Sequence, residues 1–131
     1  MALAAAVAPA PMAAAQPVDC AAVKCVALTF DDGPGPYTDR LLQILGEHHA
    51  RATFFLIGDK VAADPAAAAR IAGAGMEIGN HTWSHPDMTT LTPQEIAAQF
   101  AGTSDAIEAT TGQRPTLART GGGTIDDAVL A

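Results

Sequence analysis

Charge, aromatic rings and cysteine are all scarce in this sequence, and each shortage narrows what it can be. Only 16% of the residues are charged, and the 7 Lys and Arg are outnumbered by 14 Asp and Glu, for a formal net charge of −7. Such a chain lacks the cationic surface that draws nucleic acid or anionic lipid, so polyanionic partners are excluded from the expectation. Aromatics are 5% of the chain, which leaves Leu, Ile, Val and Ala to fill a core. Two cysteines are too few for a disulfide-built scaffold or a cysteine-only zinc site. Nor is there an apolar run long enough to cross a bilayer: Met1 to Ala15 is too short and is interrupted by Pro9 and Pro11. What is abundant is hydrophobic residues, 49% of 131, enough to support one packed, monomeric domain rather than a disordered chain.

The opening segment, residues 1–18, reads as a signal-like Ala/Pro-rich arm. Ala13-Ala14-Ala15 supplies the small residues that a signal peptidase accepts, with cleavage expected before Gln16, although no Lys or Arg precedes the apolar run. A disordered Ala/Pro tail is the alternative. Cys20 does not follow the pattern of a lipoprotein anchor. Cys20 and Cys25 are close enough to close a small disulfide loop in an oxidising compartment, which agrees with a secreted or cell-wall-associated protein.

From residue 19 onward, apolar segments of strand length alternate with segments of helical period, the pattern of an α/β domain with parallel strands. Val26 to Phe30 is expected as a buried strand ended by the turn Asp31-Asp32-Gly33-Pro34. Thr38 is expected to cap a helix whose apolar stripe is Leu41, Leu42, Ile44, Leu45 and His48, and Ala52 to Ile57 is a second strand. Asp64-Pro65 opens an Ala-rich helix that runs through Ile71 and is closed by Gly73 or Gly75. Met76 to Gly79 is a third strand. Thr92-Pro93-Gln94-Glu95 has capping-box spacing, Ile96, Phe100 and Ile107 follow on one face, and Gly112 ends that helix. Leu117 to Arg119 is expected as a fourth strand, and Asp126 to Ala131 as the start of a fourth helix.

In parallel α/β folds, functional side chains collect where strands end and loops begin. Two polar clusters stand at such places: Asp31-Asp32 after the first strand, and Asn80-His81-Thr82-Trp83-Ser84-His85-Pro86-Asp87 after the third. Adjacent carboxylates at the mouth of an apolar strand repel each other and lose solvation, which a bound cation or a guanidinium can offset. Taken alone, Asp-Asp-Gly-Pro can equally be a turn that merely stops a strand. The second cluster adds His81 and His85, whose spacing lets both imidazoles meet one ion. Two histidines and a carboxylate make three protein ligands and leave a position open for water, as at catalytic rather than structural zinc sites. His48 and His49, at a helix end, read as ordinary polar side chains.

The strings Thr29-Phe30-Asp31-Asp32-Gly33-Pro34 and His81-Thr82-Trp83-Ser84-His85-Pro86 resemble the first two motifs of the polysaccharide deacetylases that share the NodB homology domain, carbohydrate esterase family 4. The resemblance runs from about Val26 to Ala131 with motif order intact. It implies an irregular (β/α) barrel and removal of acetyl groups from an acetylated glycan: chitin oligomers, peptidoglycan or xylan. It implies Asp32, His81 and His85 as ligands of a divalent metal, zinc first and cobalt or manganese as alternatives, with Asp31 as catalytic base. Tyr37 and Trp83 are candidates to line a sugar groove, with ordinary loop packing as the alternative. Arg119 matches the Arg of the family's third motif, which steadies the catalytic Asp; the Pro and aromatic that follow it in the family are replaced here by Thr120-Gly121-Gly122-Gly123.

The resemblance also implies further strands and a late histidine acting as general acid, and no histidine follows His85. The expectation is therefore the N-terminal part of the barrel, residues 19–131, with its C-terminal part missing: a truncated deacetylase domain. Its alternative is a catalytically weak or inactive remnant that binds glycan or metal, and a third possibility is an acidic interaction domain of the cytosol.

Overall fold

The computed structural model describes residues 19–130. The proposed leader and its cleavage site lie outside the described residues, as does Ala131. Three parallel strands, β1 (Thr29–Gly33), β2 (Thr53–Leu56) and β3 (Glu77–Asn80), form a sheet in that order. Helices α1 (Thr38–Glu47), α2 (Gly58–Ala63), α3 (Pro65–Gly73), α4 (Pro93–Thr111) and α5 (Asp127–Leu130) alternate with or follow them. The expected α/β class with parallel strands is what the chain adopts.

Local signals placed the helices. Asp64 accepts a hydrogen bond from the Ala67 N–H at 3.0 Å, and Pro65 occupies the first turn, where its missing N–H has no helical partner to lose. At α4 the capping box is complete: the Thr92 hydroxyl accepts from the Glu95 N–H, and Glu95 accepts from the Thr92 N–H at 2.8 Å. Gly112 closes α4 at φ 73°, a left-handed conformation that favours glycine.

One face of the sheet is covered by helices. Leu45, Phe54, Leu56, Val61, Ala68, Ile71 and Ile107 form a continuous buried cluster, with Phe30, Leu41, Leu42 and Ile78 against its edge. Each fully buried Leu or Ile stabilises the fold by about 1.5–3 kcal/mol relative to exposure.

Four expectations need correction. The first strand is shifted: β1 begins at Thr29 and includes Asp31, Asp32 and Gly33, whereas Val26 and Leu28 are 83% and 40% exposed. Among the described residues β1 is paired on one side only, irregularly between Phe30 and Gly33; upstream of Thr29 the Leu28 carbonyl accepts from the Thr53 N–H, while Val26 lies open. Leu117 to Arg119 forms an isolated bridge to β3 at Asn80↔Ala118 rather than a strand. Thr38 is the first residue of α1, not its cap; its hydroxyl accepts from the Gly35 N–H upstream. Ile44 and His48 of the expected stripe are exposed, leaving Leu45 as its buried member. The helix α2 had no sequence expectation; its six residues are too short to show a periodic stripe. Cys20 and Cys25 form a disulfide, which the sequence left open against two free thiols. Among the described residues no helix is long and apolar enough to cross a membrane.

Candidate functional site

Successive side chains of a strand point to opposite faces. Phe54 and Leu56 of β2 and Ile78 of β3 therefore face the helices, while Phe55, Gly79 and His81, together with Asp31, occupy the other face. The irregular end of β1 and the loop after β3 then carry Asp32 and His85 to the same end.

Asp32 Oδ1 lies 3.4 Å from Nε2 of His81 and 3.4 Å from Nε2 of His85. One ligand atom from each of the three residues falls within 4.8 Å of the others, so they could hold a metal ion jointly. The His81 ring is buried, 2% exposed, and its Nδ1 lies 2.9 Å from the Arg119 carbonyl oxygen. A carbonyl can only accept, so in the neutral ring Nδ1 carries the proton and Nε2 keeps a free lone pair on the side of Asp32 and His85, as a metal ligand requires. The donor set suits a divalent cation: two imidazoles and a carboxylate, with one ring already oriented through its second nitrogen.

Asp31 borders this cluster, its Oδ2 4.0 Å from His81 Nε2. Both of its oxygens accept from Arg119 Nη1 at 2.9 Å. Arg119 reaches Asp31 because its own N–H donates to the Asn80 carbonyl, while the Asn80 N–H donates to Leu117, each at 2.9 Å. That bridge fixes the segment beside β3. The guanidinium carbon stands 4.3 Å from the centroid of the Phe55 ring.

The end of β1 and the loop that follows β3 hold strained backbone. Asp32, Thr82 and His85 have φ of 66°, 67° and 57°, in a region that non-glycine residues seldom occupy. Thr82 is the costliest of them, being β-branched, and its buried hydroxyl has no hydrogen-bond partner among the described residues. Neighbours over-determine the loop. Asn80 donates to Phe100 O at 2.7 Å and to Ser104 Oγ at 2.9 Å, and its side-chain oxygen accepts from the Thr82 N–H at 2.9 Å. Gln99 of α4 accepts from the N–H groups of Trp83 and Ser84 at 2.8 and 3.0 Å. Lys60 of α2 donates to the Asp32 carbonyl at 2.8 Å. A Cβ added to Gly121 would stand 3.0 Å from the His85 ring, so the glycine admits a close approach there. At the loop's far end the Asp87 carboxyl is held below the usual carboxylate range by hydrogen bonds from the Thr89 hydroxyl and then its N–H.

Two cavities flank the acidic pair. One of about 280 Å³ is bounded by Asp32, Ile57, Asp59, Lys60, Ser84 and His85. Another of about 190 Å³ lies on the other side and includes Asp31, Phe30, Phe54, Leu41 and Tyr37. Tyr37 is 80% exposed at that rim, where it is available to a ligand. Trp83 is instead in loop packing, its ring facing Gly58 of α2 and Gly102 of α4.

Asp31, Asp32, His81, His85 and Arg119 are thus brought together from the positions the sequence singled out. Phe55, Lys60 and Gln99 were missed. No local pattern marks them, since an apolar strand residue and two polar helix residues acquire their roles only through contacts distant in sequence.

The family model described as polysaccharide deacetylase matches residues 19–131. The chain is 45% identical to a peptidoglycan-N-acetylmuramic acid deacetylase, PdaC, of Bacillus subtilis, over 79% of this chain and 22% of that protein. It is 40% identical to chitin deacetylase 1 of Cryptococcus neoformans, over 87% of this chain and 24% of that one. A solved structure of a deacetylase with substrate superposes with a TM-score of 0.81 and 46% identity, covering 84% of this chain and 55% of the other. The chain thus spans about a quarter or less of these two curated relatives and about half of the solved one.

Proposed function

Because the chain belongs to the polysaccharide deacetylase family, we propose that it acts in the metal-dependent removal of acetyl groups from N-acetylglucosamine-containing glycan, chitin oligomers or peptidoglycan, outside the cytoplasm. The observation that carries the reading is the convergence of Asp32, His81 and His85 within 4.8 Å, beside an Asp31 clamped by Arg119. Disulfide formation between Cys20 and Cys25 supports a secreted or cell-wall location.

Asp32, His81 and His85 would hold the cation, zinc by preference for this nitrogen and oxygen set. When bound, such an ion supplies Lewis acidity, polarising an amide carbonyl and making water a better nucleophile at neutral pH. Asp31 is the general base that takes the proton of the attacking water, which general-base catalysis allows only within hydrogen-bond reach of that water. Arg119 keeps both Asp31 oxygens oriented and offsets the repulsion between the two adjacent carboxylates. His81, locked by the Arg119 carbonyl, cannot rotate its Nε2 away from the centre. Tyr37 and the polar cavity beside His85 would receive the sugar.

A second reading, binding of glycan or metal without turnover, draws on the wall after Arg119. There Gly121, Gly122 and Gly123 form a short turn, with Gly122 and Gly123 at φ of 60° and 70°. Glycine carries more freedom than a proline–aromatic pair and makes a less preorganised donor of backbone N–H groups. One assay separates the two readings: acetate release from N-acetylglucosamine oligomers and from peptidoglycan, with chelator, with zinc restored, and in Asp31→Asn. Turnover that needs zinc and Asp31 supports the hydrolase. Zinc binding that is lost in Asp32→Ala, with no acetate in any arm, supports the remnant.

A further inference from the structure

Among the described residues, the site face of the sheet buries a large aromatic side chain that the chemistry above does not use. Phe55 is 6% exposed, yet it is absent from the buried cluster that binds sheet to helices. Its ring lies under the Arg119 guanidinium, 4.3 Å from carbon to centroid, and 6.4 Å from the His81 ring at an interplanar angle of 60°. Its register partner on β3 is Gly79, and a Cβ added there would run into the Phe55 ring edge. Gly79 thus leaves the space that the ring fills.

We propose that Phe55, seated over Gly79, is a positioning residue for the reaction: its ring face holds the Arg119 guanidinium in the plane from which Nη1 reaches both oxygens of Asp31. Arg119 needs such a hold. Its side chain is partly exposed, and one nitrogen makes both contacts to Asp31, so those bonds alone leave the guanidinium free to pivot. A cation over an aromatic face is attracted by the ring quadrupole, most strongly where water is excluded. The Arg119 backbone carbonyl that orients His81 is fixed separately, by the bridge to Asn80, so the platform acts on the base and leaves the ligand alone. The catalytic consequence rests on the deacetylase reading; the hold on Arg119 does not.

The test uses the whole chain and two changes at one position. In wild type the Arg119 side-chain protons are expected upfield of those of a solvated arginine, from the ring current of Phe55, and Phe55→Leu returns them to solvent positions. Pentafluorophenylalanine at position 55 keeps the ring's outline and reverses the charge of its face. In that variant Arg119 Nε–H exchange becomes roughly three- to thirtyfold faster, zinc affinity stays within about twofold of wild type because no ligand is touched, and acetate release falls through kcat with KM unchanged. Gly79→Ala, which pushes the ring from the opposite side, moves the Arg119 signals in the same direction. Arg119 signals at solvent positions in wild type, or exchange in the fluorinated variant equal to wild type, would overturn the proposal even if Phe55→Leu fails to fold. A chain that releases no acetate but shows both spectroscopic effects overturns the deacetylase reading and leaves the Phe55 platform in place.

Discussion

On the helix-facing side of the sheet, Phe30, Phe54, Leu56 and Ile78 meet Leu45, Ala68, Ile71 and Ile107; on the other side, Asp31, Phe55 and His81 meet Arg119. The same three strands serve both. Helix-side contacts are apolar, non-directional and numerous, so they supply stability and tolerate modest reshaping. Site-side contacts are few, directional and charged, and three residues there, Asp32, Thr82 and His85, sit at positive φ. Their strain persists because the helix side and the polar neighbours hold the loops in place. Stability and chemistry are therefore divided by the pleat, and substitutions on the two faces should fail in different ways.

The sharpest separation is expected from Asp31→Asn, which keeps size and shape and removes the carboxylate proposed as the base. Acetate release should fall about a hundred- to ten-thousandfold, while the denaturation midpoint stays near that of wild type. A large loss of stability instead would mean that Asp31 is structural and that the two faces are not divided. Leu56→Ala is the mirror experiment. Leu56 is fully buried, and its truncation should cost about 2–5 kcal/mol in chemical denaturation, with zinc affinity of the remaining folded fraction unchanged.

Asn80 is where the division should break down. Its side chain ties α4 to the start of the histidine loop through three hydrogen bonds. Asn80→Ala should cost about 1–3 kcal/mol, the penalty of leaving buried partners unpaired, and should also weaken zinc binding, because Thr82 and with it the route to His85 lose their anchor. A variant that loses stability but binds zinc normally would show that the bonds from Gln99, Gly58 and Asp59 hold the loop without Asn80.

The smallest effect lies at the start of α4. The Glu95 carboxyl is held below its usual value by the Thr92 N–H and then the Thr92 hydroxyl. A carboxyl whose folded pKa is depressed contributes stability that is present above its unfolded value and is lost as pH falls through the folded one. Acid melts should therefore show wild type losing stability relative to Glu95→Gln as the pH drops below the ordinary glutamate range, and no difference in acetate release at neutral pH. Salt should shrink the effect, because the group is exposed.

Much of this was legible beforehand, and the parts that were not share a cause. The Asp64 and Thr92 caps and the Gly112 stop were readable because capping is settled within four residues of chain. The grouping of Asp32 with His81 and His85 was readable because two polar strings follow apolar strands and resemble known motifs, the resemblance choosing Asp32 over Asp31 as the third member. The start of β1 was not, since an apolar run such as Val26 to Leu28 becomes a strand only where a neighbour pairs with it, and a single bond from Thr53 to the Leu28 carbonyl is too little. Leu117 to Arg119 fell short of a strand for the same reason, with one bridge where a ladder was expected. Trp83, a candidate for the sugar groove, was claimed by Gly58 and Gly102.

Composition, caps and two short polar strings were enough to specify an α/β chain with parallel strands and, through the motifs they resemble, to single out the three residues that the fold groups, because those properties are local or are carried by side-chain chemistry. The tertiary structure alone decided that Arg119 closes on Asp31 across 88 residues, that its carbonyl fixes the His81 tautomer, and that Phe55 lies beneath it. Such contacts depend on strand register and on the direction in which each side chain leaves the sheet, and no short stretch of sequence encodes either.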